Sequence, residues 1–181
     1  MNNILRGVKK LVPGAVKTAA KNFVAGMSID NSKYGYNKQG MRKINIGSGK
    51  DRRVGFINLD IDPEVKPDIT RDIEKGLPFD DNSVDEIVCS HTLEHIRDLS
   101  FVLREFYRVS KPGAKIKITV PLMDASDITH VRFFQEDTFR TLTEPHYWNT
   151  SYFVGKFKEL DRSFRDLSTC REMTIVLEVI K

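Results

Sequence analysis

Cysteine is scarce in this 181-residue chain, which has only Cys89 and Cys170. The two fit no paired metal-ligand spacing and supply no disulfide framework, which excludes zinc-ribbon and disulfide-stapled classes. Cys89 falls in an apolar strand pattern and reads as a small buried hydrophobe rather than a nucleophile. No apolar run approaches the roughly 20 residues that cross a bilayer. The N-terminus also lacks the uninterrupted apolar stretch of a secretory signal, so a cytoplasmic location is expected. There are no internal repeats, and 40% hydrophobic with 30% charged residues is the composition of a folded, single-domain chain.

The charge is unevenly spread. The net value is +4, yet residues 1–43 hold nine Lys or Arg against a single acid, Asp30, and the remainder is acidic by four charges. Ile4, Val8 and Leu11 fall on one helical face. After Pro13-Gly14, so do Val16, Ala20, Phe23 and Val24, flanked by Lys17 and Lys21. Residues 1–41 are therefore expected to form a basic amphipathic helical arm and a polar linker, and 42–181 the main folded domain. The arm admits three readings: a lid, a peripheral contact of residues 1–25 with an anionic membrane surface, or a nucleic-acid arm. Its apolar stripe favours the first two, and no specific nucleic acid is predicted. The Tyr34-Gly35-Tyr36 linker would suit a closing segment.

From Arg42 onward, short apolar runs alternate with loops. Strands are predicted at 43–46, 55–59, 67–72, 84–89 and 115–120. A helix at about 98–109 is capped by Asp98 or Ser100 and stopped by Lys111-Pro112-Gly113. A helix around 135–143 and strands near 152–157 and 173–180 complete the pattern. Alternating strands and helices imply an α/β fold: a Rossmann-like, doubly wound, mainly parallel sheet with an antiparallel C-terminal edge. The lysines of 115–120 sit oddly in a strand buried on both faces, and are expected at its exposed end. In such sheets ligands bind beyond the carboxyl ends of the strands. Those ends here carry Gly47-Ser48-Gly49, Asp60, Asp72-Ile73 and Ser90-His91.

These segments resemble the class I S-adenosylmethionine (SAM)-dependent methyltransferases, particularly the small type 11-like members. The resemblance runs from about Lys43 to Glu144, through INIGSG (44–49), GFINLDIDP (55–63), LPFDDNSVD (77–85), SHTLEH (90–95), RVSKPG (108–113) and THVRFF (129–134). It implies SAM as cofactor, with Asn45, Gly47, Ser48 and Gly49 at its methionine part. Asp60 would hold the ribose hydroxyls, and Ile61 would lie beside the adenine. Asp72 and the Ile73 amide would reach the ring, with Ser90 and His91 beside the sulfonium. Three departures stand out. Asn45 replaces the usual acid, Asp51 replaces a common third glycine, and the ten residues between Gly49 and Asp60 leave little room for the usual first helix, so a loop is expected there.

A dinucleotide-binding reading needs glycine at position 52, where Arg52 stands. His91-Thr92-Leu93-Glu94-His95 matches the inverted zinc-protease motif, and helical spacing would put both histidines on one face. With no third ligand in proper context, no metal is predicted. The sequence lacks the N-P-P-Y signature of base amino-methyltransferases and the Pro-Cys of cytosine-C5 enzymes. A small-molecule or glycan-type acceptor is expected, methylated on oxygen or nitrogen. His91 is the candidate general base and His130 the runner-up, with His130 and Arg132 as candidate acceptor-binding residues. Phe133, Phe134, Tyr147 and Trp148 could wall an acceptor pocket or fill the core. The alternative function is a non-catalytic SAM-binding or scaffold protein, and the oligomeric state is left open.

Overall fold

The computed structural model describes residues 40–124, 127–144 and 154–181. The basic arm, the Tyr34–Tyr36 linker, Tyr147 and Trp148 lie outside the described residues. Among the described residues, seven strands form one sheet: β1 (Lys43–Ile46), β2 (Ile57–Asp60), β3 (Ile69–Thr70), β4 (Val84–Ser90), β5 (Ser110–Leu122), β6 (Phe157–Asp166) and β7 (Arg171–Val179), in the order β3-β2-β1-β4-β5-β7-β6. The pairs from β3 to β5 are parallel, whereas β7 runs antiparallel to both β5 and β6. The order reverses between β1 and β4, so the first strand's carboxyl end opens at the switch point.

Helix α1 (Leu99–Val109) links β4 to β5. Asp98 caps it by accepting from Phe101 N at 2.9 Å. Its apolar stripe buries Val102, Leu103, Phe106 and Val109, each worth about 1.5–3 kcal/mol when fully removed from water. Arg108 fastens the helix to the 77–81 loop, donating to Leu77 O at 3.0 Å and Phe79 O at 2.8 Å while paired with Glu105 and Asp81.

The β1–β2 connection contains only turns and bends, as the short spacing predicts, and β2–β3 carries a single 3₁₀ turn (Pro63–Val65). This explains the lysines of β5. Ile116 and Ile118 are buried while Lys115 and Lys117 are exposed, so these lysines alternate along the strand rather than gather at its end. Among the described residues no α-helix spans the connections on the lysine-bearing side.

Two other elements differ from expectation. The helix expected over 135–143 is reduced to α2 (Arg140–Thr143) after a run of turns. The strand expected near 152–157 starts at Phe157 and continues to Asp166. β6 is the sheet's edge. Its Lys158, Glu159, Asp161, Arg162 and Arg165 give it a polar pattern unlike a core strand, and charges on an edge discourage pairing with other chains.

Candidate functional site

The glycine turn after β1 is built to bring backbone close to the end of β2. Gly47 has φ +63°, and an added Cβ there would lie 2.0 Å from Thr92 Oγ1, so only glycine fits. Gly49 has φ +46° with nothing within 4 Å of an added Cβ, which leaves open space against its backbone. Its N–H donates to Asp60 Oδ2 at 2.7 Å, while Asp60 Oδ1 accepts from Asp62 N at 2.9 Å. Ser48 N donates to Leu59 O at 3.1 Å, and the buried Ser48 Oγ has no hydrogen-bond partner among the described residues.

Asn45 is buried beneath this turn. Its amide donates to Asp51 O at 2.8 Å and Asn58 Oδ1 at 3.1 Å, so its side chain braces the loop. Asn58 is itself held by Asp68, whose Oδ2 accepts from Asn58 N at 2.7 Å and Nδ2 at 3.0 Å. Burial pushes the Asp68 carboxyl up, but hydrogen bonds from Asn58 and Arg52 more than offset it and hold the group below its ordinary value. Sequence reasoning missed this bracing, because it joins polar residues with no spacing motif.

Ile61, beyond β2, is exposed. Asp72 caps the 3₁₀ turn Ile73–Lys75, accepting from Glu74 N at 3.0 Å, and Ile73 is buried. These residues and the glycine turn follow the carboxyl ends of β1, β2 and β3.

His91 follows β4 in a left-handed conformation, φ +48°, unusual for a non-glycine residue. Its backbone N–H donates to Thr119 O at 2.9 Å. Its ring stands between two acids: Nε2 is 2.9 Å from Glu172 Oε2, and Nδ1 is 3.5 Å from Glu94 Oε1. Glu94, then opposing desolvation and finally Glu172 act on the imidazole, with a net rise above its ordinary value. Burial raises the Glu172 carboxyl, but Arg165 and His91 outweigh it and leave it lowered. Glu172 comes from β7 and could not be linked to His91 by sequence. A cavity of about 410 Å³ opens here, lined by Ser90, His91, Lys117, Thr119, Arg165 and Glu172 among others.

Leu93–His95 forms a 3₁₀ turn, so His91 and His95 do not share a helical face. His95 instead meets His130 edge to face, with ring centroids 4.9 Å apart. His130 Nδ1 is 3.1 Å from Asp124 O. Arg132 is spent on backbone, donating from Nε to Ile96 O at 2.7 Å and from its terminal nitrogen to Arg97 O. Phe134 is buried and stacked on Phe139, which makes it core. Met123, Ile128, Val131 and Phe133 are exposed.

Residues 49–118 match the family model described as a methyltransferase domain. A demethylmenaquinone methyltransferase of Streptomyces griseus is 45% identical over 42 residues, covering 23% of this chain and 18% of that protein. A 2-phytyl-1,4-naphtoquinone methyltransferase of Nostoc punctiforme is 45% identical over 43 residues, 24% of this chain and 19% of that one. The matches thus span about a fifth of these relatives' length. A SAM-dependent methyltransferase structure from Archaeoglobus fulgidus superposes with a TM-score of 0.57 at 15% identity, over 91% of this chain and 93% of that one. Residues 49–118 are thus similar to the methyltransferase domain of that family model, and the fold is that of the SAM-dependent methyltransferase structure from Archaeoglobus fulgidus.

Proposed function

We propose that this chain transfers a methyl group from SAM to a hydroxyl of a small-molecule acceptor. The observation that carries the reading is the hydrogen bond from Gly49 N to Asp60 Oδ2, which makes the glycine turn and the end of β2 one unit. SAM, when bound, supplies an electrophilic methyl group on a sulfonium. The backbone of Gly47, Ser48 and Gly49 takes its amino-acid part, in the open space beside Gly49. The Asp60 carboxylate has lone pairs to accept from vicinal ribose hydroxyls. Exposed Ile61 packs on the adenine, with Asp72 and the Ile73 amide at the ring edge. Asn45 acts by bracing the turn.

Ser90 and His91 close the site on the acceptor side. The chain must hold the acceptor oxygen in line with the bond that breaks, and such positioning is worth roughly 7–11 kcal/mol. His91, oriented by Glu172, takes the hydroxyl proton. The looser approach to Glu94 is where the acceptor enters hydrogen-bond reach of the ring. His130 is the reserve candidate for the base, and Arg132 holds the acceptor loop. Exposed Met123, Ile128, Val131 and Phe133 favour an acceptor with an apolar part over a glycan. The quinone substrates in the relatives' names point the same way. An apolar acceptor in a bilayer would also suit peripheral membrane contact through residues 1–25.

The experiment is a turnover assay with quinol-type and sugar acceptors, run beside a SAM binding measurement. Methylated product that disappears in His91→Ala while SAM still binds supports the reading. SAM binding with no transfer to any acceptor supports the non-catalytic alternative.

A further inference from the structure

Glu94, His95 and His130 bring a carboxylate and two imidazoles together, with potential ligand atoms all within 4.8 Å of one another. They come from two distant segments, the 3₁₀ turn Leu93–His95 and the loop after β5. Backbone contacts hold these segments together: Val131 N and Arg132 N both donate to Glu94 O, at 2.9 and 3.1 Å.

The surrounding hydrogen bonds fix which nitrogen of each ring is a lone pair. His95 Nδ1 faces Thr129 O at 3.2 Å and Thr129 Oγ1 at 3.0 Å. The Thr129 hydroxyl gives its proton to Asp127 Oδ1 at 2.7 Å, so both partners of His95 Nδ1 are acceptors and that nitrogen carries the proton. His130 Nδ1 faces Asp124 O at 3.1 Å and Asp124 Oδ2 at 3.8 Å, again acceptors. With Nδ1 facing acceptors in both rings, Nε2 is the nitrogen left to offer a lone pair to a cation, the arrangement in which outer oxygens orient metal-bound histidines. Glu94 is 1% exposed, and its Oε2 is buried without a hydrogen-bond partner among the described residues. A buried carboxylate oxygen with nothing to accept from is costly unless a cation faces it.

We propose that Glu94, His95 and His130 bind a divalent transition-metal cation, with zinc the closest match to two imidazoles and one carboxylate. Magnesium and calcium, which prefer oxygen ligands, fit this donor set poorly. Donors about 2.1 Å from a shared ion stand at most about 4.2 Å apart, so the exposed His95 ring swings inward to close the set. Three protein ligands leave a coordination position for water or another oxygen donor. The ion would pin the loop after β5 to the segment that follows His91, whether or not methyl transfer occurs.

The test is calorimetric titration of Zn²⁺ into the full chain after chelator treatment and dialysis, without SAM or acceptor. One ion per chain is expected, and Co²⁺ in its place should give the visible absorption of a tetrahedral site. His95→Ala, at an exposed position, and the near-isosteric Glu94→Gln should each weaken zinc binding at least about tenfold with unchanged circular dichroism. Cys170→Ser should leave it unaltered. No zinc uptake by the folded chain, equal affinity in both ligand variants, or loss in Cys170→Ser would overturn the site.

Discussion

Gly47 lies against Thr92 so closely that a Cβ on the glycine would stand 2.0 Å from the threonine Oγ1 and 2.9 Å from its Cβ. The turn after β1 and the segment after β4 are thereby pressed together at the switch point of the sheet. Gly47→Ala must displace Thr92 and also hold alanine at φ +63°. Overpacking and left-handed strain together are expected to cost about 2–4 kcal/mol. Chemical denaturation should show the loss, and adding Thr92→Ala should recover only part of it. Full stability in the single variant would mean that the two segments are not in this contact.

His91→Ala should lower turnover by at least about 100-fold, as expected for loss of a general base, while SAM affinity stays at the wild-type value. Glu172→Gln keeps a hydrogen-bond partner for the ring but removes one of its flanking charges, and should retain more activity than His91→Ala. Steady-state kinetics beside SAM titration separate the two quantities. Equal turnover in His91→Ala and the wild type would remove the base from this position.

Asp68 gives a pH dependence with a definite sign. Its carboxyl is held below its ordinary value, so its contribution to stability is fully present above the unfolded-state value and fades as pH falls through the folded one. Thermal melts from neutral to acid pH should therefore fall less steeply for Asp68→Asn than for the wild type. The variant should be the less stable of the two at neutral pH. Parallel acid limbs would place the Asp68 carboxylate outside the Asn58 network.

Cys89 is buried, and desolvation pushes its thiol up to about 12. It should remain protonated and unreactive in the folded chain, whereas Cys170 lies in the partly exposed hairpin between β6 and β7. Thiol titration should count one reactive group in native protein and two in denaturant. Two fast-reacting thiols in native protein would contradict the burial of β4.

Much of the parallel half was legible because its signals are local. Apolar runs at 43–46 and 84–89, the glycine turn and an acid ending the second strand are each contained within a few residues. The cap at Asp98 and the stop at Lys111-Pro112-Gly113 bounded α1 for the same reason, although β5 begins at Ser110 rather than after the stop. β6 was misplaced because an edge strand rich in charge has no apolar alternation to read. The partners of His91 were illegible for another reason. Glu172 reaches it from 81 residues away along the chain, through the antiparallel insertion of β7. The His95–His130 contact depends similarly on the loop after β5 folding back over the 3₁₀ turn. The H-x-x-E-H spacing was visible, but helical geometry was the wrong frame for it, because Leu93–His95 is a single 3₁₀ turn.

The most direct test is calorimetric titration of SAM into the full chain, the Asp60→Ala variant and the milder Asp60→Asn. The account predicts one SAM per chain at about micromolar affinity. It also predicts binding about 10- to 100-fold weaker in Asp60→Ala, the scale of losing charged hydrogen bonds, and a smaller loss in Asp60→Asn. Folded wild-type protein that takes up no SAM, or binds it as tightly without the Asp60 carboxylate, would contradict the claim that the glycine turn and the end of β2 form the cofactor site.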